Sequence, residues 1–190
     1  MKKALPVLIV SALCFSSTQA LAEEYKPFYG AVFLGQASWD VDLDTSGASL
    51  DDKDTFFSLV GGYKVNENVA VELAYNDFGG WSVSGNGATF VIDATSFSLS
   101  AVGNIPINND FNLLGRLGME KWDGDATLSG AGSLNSSEGE DGTDLYFGIG
   151  GAYKINEKVA IRLEYQLHEF DVGGGDIDVD VLTLGASFVF

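Results

Sequence analysis

The chain has 190 residues, a formal net charge of −17 and a composition that is 46% hydrophobic, with 24 glycines and three prolines. An acid excess of this size excludes the basic footprint that nucleic-acid binding needs. The hydrophobic fraction excludes a disordered chain, and the length allows one domain.

The first residues read as a secretory leader. Lys2 and Lys3 make a positive start, Ala4 to Phe15 is apolar, and Ala20-Leu21-Ala22 supplies the small residues of a cleavage site. The apolar run is too short to span a bilayer as a helix. Cys14 follows the bulky Leu13, where a lipobox has a small residue, so lipid attachment is not expected. The expected division is a signal peptide over residues 1–22 and one domain over residues 23–190. That domain has no cysteine, which excludes disulfides. Without Lys2 and Lys3 it carries eight basic residues against 27 acidic ones, a net charge of −19.

In chain order, Tyr29, Ala31, Phe33, Gly35, Ala37 and Trp39 alternate with Gly30, Val32, Leu34, Gln36 and Ser38, a period of two that predicts a strand. Residues 40–54 read as an acidic loop. Phe57, Leu59, Gly61, Tyr63 and Val65 alternate with smaller residues. A polar Asn66-Glu67-Asn68 turn follows, and then Val69, Val71, Leu73 and Tyr75 alternate with Ala70, Glu72, Ala74 and Asn76. This is an antiparallel hairpin. It recurs ninety positions later around Tyr153-Lys154-Ile155-Asn156-Glu157, with Asp54, Phe57, Tyr63, Lys64, Asn66 and Ala70 echoed by Asp144, Phe147, Tyr153, Lys154, Asn156 and Ala160. Between the copies, residues 76–89 read as a loop. Strand four carries Thr95, Phe97, Leu99, Ala101 and Gly103 on one face. A turn at Pro106-Ile107-Asn108-Asn109-Asp110 leads to strand five, with Phe111, Leu113, Gly115, Leu117 and Met119. Residues 123–142 read as the longest loop and 171–176 as another. Strand eight closes the chain, with a bulge expected near Val181-Leu182.

Eight strands of ten to fourteen residues, joined by short turns alternating with long loops, are long enough to cross a bilayer when tilted. Tyr29, Trp39, Tyr63, Tyr75, Tyr153 and Tyr165 near strand ends read as an aromatic girdle. The opposite face is small, polar or charged, unlike the core of a soluble sandwich. An open sheet edge in hydrocarbon costs several kcal/mol per unpaired group, so strand one must pair with strand eight. The predicted fold is all-β: an eight-stranded, antiparallel, up-and-down transmembrane β-barrel. An even strand number places both termini on one side, with the short turns there and the acidic loops outside.

Arg162-Leu163-Glu164-Tyr165-Gln166, Gly61-Gly62-Tyr63, Gly30-Ala31 and the C-terminal Leu182-Thr183-Leu184-Gly185-Ala186-Ser187-Phe188-Val189-Phe190 resemble the OmpA/OmpX-type outer-membrane barrels of Gram-negative bacteria. The resemblance covers the whole domain but includes no periplasmic peptidoglycan-binding domain. It implies an integral outer-membrane protein of the cell envelope, in contact with lipid and lipopolysaccharide and expected as a monomer. It further implies that Leu182, Leu184, Gly185, Phe188 and Phe190 form the signal read by the barrel-assembly machinery. It also implies a lumen pair between Glu72 on strand three and Arg162 on strand seven.

Counting from the turns gives the same pair. Glu72 and Arg162 each lie four residues past a turn, Arg116 and Glu164 six, Glu120 and His168 ten. Three stacked polar layers are expected, because an eight-stranded barrel is only wide enough to be filled by side chains and an unpaired ion there is costly. His168 is the one histidine. Lipid A-modifying barrels need a serine within reach of such a base, and no serine lies two residues from it, so no catalytic residues are assigned. The runs Asp40-Val41-Asp42-Leu43-Asp44 and Asp176-Ile177-Asp178-Val179-Asp180 read first as solvated acidic surface. Their second reading is a weak Ca²⁺ or Mg²⁺ site, and no other cofactor is expected. The functional expectation is a non-enzymatic barrel supporting envelope integrity and surface interaction through acidic loops. A low-conductance porin-like channel is the alternative, and a lipid A-modifying enzyme stands third.

Overall fold

A computed structural model describes residues 27–42, 49–85, 88–130, 136–172 and 175–190; at residues 40–42, 49–52, 81–85, 88–92, 126, 128–130, 136–138, 171–172 and 175–176 it describes the backbone alone. The expected leader, residues 1–22, lies outside the described residues. Eight strands follow in order: β1 (Phe28–Asp42), β2 (Ser49–Lys64), β3 (Val69–Gly85), β4 (Ala88–Pro106), β5 (Phe111–Gly130), β6 (Ser136–Lys154), β7 (Val159–Val172) and β8 (Gly175–Val189). Each pairs antiparallel with its sequence neighbours, and β1 pairs with β8 from Tyr29↔Val189 to Asp40↔Asp178, closing the barrel.

The three short turns share one device. Asn66, Asn108 and Asn156 each occupy the second turn position, and each side-chain oxygen accepts the N–H two residues on, at 2.8, 3.0 and 2.9 Å. That Asx bond fixes the turn locally. Val65, Ile107 and Ile155 then close their turns by donating to the carbonyls of Val69, Phe111 and Val159, each at 2.9 Å.

Period-two alternation sorts the side chains. On β5, Phe111, Leu113, Leu117 and Met119 face outward and are exposed, until Lys121, Asp123 and Asp125 take over. Phe111 to Met119 spans about 27 Å along the strand, or about 21 Å along the axis at a tilt near 40°, close to the apolar band of such barrels. Comparable outward runs on the other strands make an exposed apolar belt that only lipid can cover.

Four expectations are corrected. The strands are 14 to 20 residues long, because parts of the stretches read as loops continue the ladders: 49–54, 76–85, 123–130 and 136–142. At Asp123, Asp125, Gly139, Glu140 and Asp141 the extended strands are exposed, and the ladder holds them without an apolar alternation. Strand eight has no bulge at Val181-Leu182, since its ladders to β1 and β7 run unshifted through both. Instead, Ile177, Val179 and Val181 are apolar residues on the inward side. Lastly, Tyr29 and Trp39 are not in the girdle: they are 8% and 5% exposed and point inward, leaving Tyr63, Tyr75, Tyr153 and Tyr165 outside.

The inward aromatics go with a change in the wall. The β2–β3 ladder stops at Phe57↔Asp77, and the β6–β7 ladder at Tyr146↔His168. The other ladders continue toward the hairpin tips. Above these two seams the barrel becomes two four-stranded leaves, β7-β8-β1-β2 and β3-β4-β5-β6. Ala37, Trp39, Phe56, Phe170, Val179 and Val181 from one leaf pack on Phe78, Ala94 and Trp122 from the other. The first seam opens where Gly79 adopts φ +68°, a conformation glycine reaches without steric cost. Its N–H is held by Asp77 Oδ1 at 3.0 Å, and the next N–H, of Gly80, by Asp54 Oδ2 at 2.7 Å. A side-chain carboxylate thus replaces a lost ladder bond.

Gly79→Ala is expected to cost about 1–2 kcal/mol, from the left-handed backbone and from a Cβ that would lie 2.6 Å from Asp54 Oδ2. Gly61→Ala is the control, since its Cβ would meet nothing within 4 Å. Urea unfolding in lipid checks both. Equal midpoints for the two variants would show that the seam does not depend on Gly79.

Candidate functional site

The inward positions of β3, β5 and β7 carry Glu72, Arg116, Arg162 and Glu164, which are 0%, 7%, 5% and 2% exposed. The structure brings all four together. Arg162 Nη1 donates to Glu72 Oε1 at 2.7 Å, and Arg162 Nη2 meets Glu164 Oε1. Arg116 Nε donates to Glu164 Oε2 at 3.0 Å, and Arg116 Nη2 lies 2.6 Å from Glu72 Oε2 as an ion contact. Each cation touches both anions and each anion both cations. The expected first and second layers are therefore a single quartet. Positions two apart on a strand are only about 7 Å apart, within the reach of an arginine. Glu120 and His168 form the separate third layer, with His168 Nδ1 2.6 Å from Glu120 Oε1.

Alternation alone did not reveal the groups that position these charges. Tyr29 donates its hydroxyl to Glu72 Oε1 at 2.5 Å. Its ring lies against Gly62, its partner across the β1–β2 ladder, where an added Cβ would sit 2.1 Å from the ring. A tyrosine facing a glycine across a hairpin was the available signal. Phe33 places its ring 5.0 Å from the Arg162 guanidinium carbon, a cation–π contact, and it overlies Gly185, where a Cβ would meet it at 2.3 Å. Ser100 accepts from Arg116 Nη1 at 2.8 Å. Higher up, Ser96 donates to Glu120 at 2.7 Å, and Asn76 links Ser58, Ser96 and Ser98. The Tyr146 ring stacks on His168 at 4.7 Å and 8°.

From the short-turn mouth the lumen thus runs through four levels: a vestibule, the charge quartet, a second polar layer with Glu120 and His168, and the aromatic cluster. Phe78 is central to the last, with ring centroids 5.2 Å from Phe56, 5.4 Å from Phe170 and 6.4 Å from Trp39. This outer part of the inward face is apolar, which corrects the expectation of a uniformly polar one. His168 faces Glu120 and Gln166, with no serine hydroxyl bonded to it among the described residues.

The remaining candidates are dispersed. Leu182, Leu184, Phe188 and Phe190 lie on the outward face, 45–72% exposed, while Gly185 faces in. Asp178 and Asp180 stand on β8 rather than in a loop; the side chains of Asp40, Asp42, Asp44 and Asp176 lie outside the described residues. Among the described residues no group of three or more His, Cys, Asp or Glu is placed to hold a metal ion.

A closed eight-stranded barrel with an outward apolar belt and a filled lumen defines a transmembrane β-barrel of the outer membrane. Residues 8–190 match the outer membrane protein beta-barrel domain, and the chain belongs to that family. It is 26% identical over 195 residues to outer membrane protein A of Shigella flexneri, covering 100% of this chain and 56% of that protein. It is 29% identical over 180 residues to outer membrane protein P5 of Haemophilus influenzae, covering 87% and 51%. The chain spans about half the length of these relatives. Among solved structures, the neisserial surface protein A superposes with a TM-score of 0.67 at 14% identity, covering 86% of this chain and 97% of that one. The attachment invasion locus protein Ail of Yersinia pestis, solved with the heparin analogue sucrose octasulfate, superposes with a TM-score of 0.60 at 21% identity, covering 86% and 99%. At these identities the structures speak for the fold, and the sequence relatives place the chain in the outer membrane.

Arg162→Ala leaves two buried carboxylates on one guanidinium and is expected to destabilise the barrel by about 3–5 kcal/mol. Glu72→Ala combined with Arg162→Ala should cost at least about 1 kcal/mol less than the sum of the single changes. Urea unfolding in lipid, run as a double-mutant cycle, measures the coupling. Strict additivity would mean that the two residues are energetically independent.

Proposed function

We propose that this protein is a closed, non-conducting and non-enzymatic barrel that supports envelope integrity and presents its long hairpins outside the cell. The observation that carries the reading is that the lumen is filled at two separate levels, by the charge quartet and by the aromatic cluster. Between them, a cavity of about 10 Å³ beside Phe33, Asn76 and Tyr146 is at the lower limit for a single water. A solute crossing the barrel would have to break both levels. A catalytic role is disfavoured by His168, which is 2% exposed and packed between Tyr146 and Phe78.

On this reading the short turns face the periplasm and the two leaves stand above the lipid, with Asp123, Asp125, Glu140 and Asp141 exposed on the taller one. Acidic hairpins of this kind are suited to surface interaction and, through divalent cations, to the phosphates of lipopolysaccharide. Weak Ca²⁺ or Mg²⁺ binding belongs to the same reading. Leu182, Leu184, Gly185, Phe188 and Phe190 serve as the signal for the barrel-assembly machinery, residues 1–22 as the leader, and the barrel works as a monomer. The pore alternative has one observation in its favour: the lumen is open from the short-turn mouth as far as the quartet.

Planar bilayers separate the two readings. Wild-type protein and Arg162→Ala should give no stable single-channel steps, because the aromatic level still seals the lumen. Phe78→Ala with Phe170→Ala should stay closed as well, and only the combination with Arg162→Ala should conduct. Stable, salt-dependent steps from the wild type would establish the pore. Steps from Arg162→Ala alone would show that the aromatic level is no seal.

A further inference from the structure

His168 stands at the foot of the β6–β7 seam, where the last ladder pair is Tyr146↔His168. It and Glu120 are enclosed, at 2% and 1% exposure, and neither belongs to the quartet. The groups facing the imidazole are Glu120 from β5, Tyr146 from β6, Phe78 from β3, and Gln166 and Phe170 from β7. Of these, Glu120 and Tyr146 titrate. Ser96 of β4 donates to the other oxygen of Glu120 at 2.7 Å. Asp144, across the ladder from Glu120, accepts from Trp122 Nε1 at 2.6 Å. Beyond Gln166 stand the charged Glu164 and Arg116.

Both ring nitrogens face oxygen. Nδ1 lies 2.6 Å from Glu120 Oε1, and Nε2 lies 3.3 Å from Gln166 Oε1. An amide oxygen can only accept, so Nε2 carries a proton. Nδ1 and Glu120 Oε1 hold a second proton between them, since two lone pairs do not face each other at that distance. The other end of Gln166 sets its orientation: Gln166 Nε2 donates to Glu164 Oε2 at 3.3 Å. The same Oε2 accepts the Arg116 Nε–H at 3.0 Å. One amide therefore joins the imidazole to the quartet. Its stem is pinned, because Gly148 lies opposite on β6 and a Cβ there would stand 3.0 Å from Gln166 Cγ. The terminal torsion of a glutamine is broad and roughly two-fold. Gln166 also borders, with Arg116 and Tyr146, the cavity of about 10 Å³, which gives the amide space to turn.

We propose that Gln166 is an amide relay that makes the charge quartet sensitive to pH through His168. With Nε2 protonated, Gln166 accepts from the ring and donates to Glu164. Loss of that proton to water leaves a lone pair against the amide oxygen. The amide then turns, gives its NH₂ to Nε2 and sets its oxygen against Glu164 Oε2. Glu164 loses a donor and faces an acceptor instead, which is unfavourable in a buried site, and Arg116 shifts with the oxygen it shares. The quartet is tightest in acid and loosens as pH rises. A local protonation is in this way read out by a two-state element, whether or not the lumen conducts.

The test is ¹⁵N NMR of the barrel in neutral lipid nanodiscs between about pH 5 and about pH 9, the range across which a histidine ring changes charge. It reads the His168 ring nitrogens, the Gln166 side-chain NH₂ and the Arg116 Nε–H. At the acid end Nε2 should carry a proton. As pH rises, all these signals should move together with one midpoint. Gln166→Met keeps the length of the side chain and removes the amide: His168 should still titrate, while the Arg116 response is lost. His168→Phe should abolish the response of both Gln166 and Arg116. A bare Nε2 at the acid end, or a ring unchanged across the range, would overturn the switch. An Arg116 signal that stays fixed while the ring titrates, or that still follows the ring in Gln166→Met, would overturn the relay. The wild-type readings decide the matter even where a variant does not fold.

Discussion

Two carboxylates and two guanidiniums share the middle of the lumen, and the interior is arranged around keeping them together. Moving any one of these ions out of water costs several kcal/mol. The cost is offset only when every charge has opposite neighbours on more than one side. The ring of contacts among Glu72, Arg162, Glu164 and Arg116 meets that condition, and Tyr29, Ser100 and Phe33 complete it with a hydroxyl donor, a hydroxyl acceptor and an aromatic face. Gly62 and Gly185 matter because they leave room for two of those rings. The groups that touch the charges come from five strands, β1, β3, β4, β5 and β7, and the two glycines add β2 and β8.

The bilayer imposes the second constraint. Within the apolar belt the sheet must close, because an unpaired backbone edge in hydrocarbon is too costly. Above the belt water can satisfy an edge, and there the β2–β3 and β6–β7 ladders end. Release from closure lets two leaves approach face to face, and they then need the apolar interior of a sandwich. Trp39, Phe56, Phe78, Trp122 and Phe170 supply it. The lumen therefore changes chemistry with height, from ions in the membrane to aromatics above it. The two levels fill the lumen by different physics, one through charge pairing and the other through apolar packing.

Much of this was legible in the sequence, and the failures have physical causes. Glu72, Arg162, Arg116, Glu164, Glu120 and His168 could be placed by counting, because tight turns fix register and a period of two fixes the face. Counting gives height and face but not reach, so the merging of two layers through long arginine side chains was not visible. Tyr29 and Trp39 resembled interfacial anchors because they sit near strand ends, yet their strand's other face, with Val32 and Leu34, is the one toward lipid. Val179 and Val181 suggest a slipped register only if apolar residues face outward throughout, and above the seams they face inward. Asp54 reads from the sequence as part of an acidic loop, and its role at Gly80 depends on a bulge that no periodicity announces.

The interior depends on the quartet being dry and bonded as a unit, and hydrogen exchange at the arginine Nε–H groups reports on that directly. In lipid bilayers, the Nε–H of Arg116, which donates to Glu164, should exchange with solvent at least about a hundredfold more slowly than that of a free arginine, as buried hydrogen-bonded protons do. The Nε–H of Arg162, which lines the vestibule without an acceptor among the described residues, should exchange faster than that of Arg116. Free-arginine exchange at Arg116 would mean that water reaches the centre of the lumen, and that the quartet neither seals nor organises it.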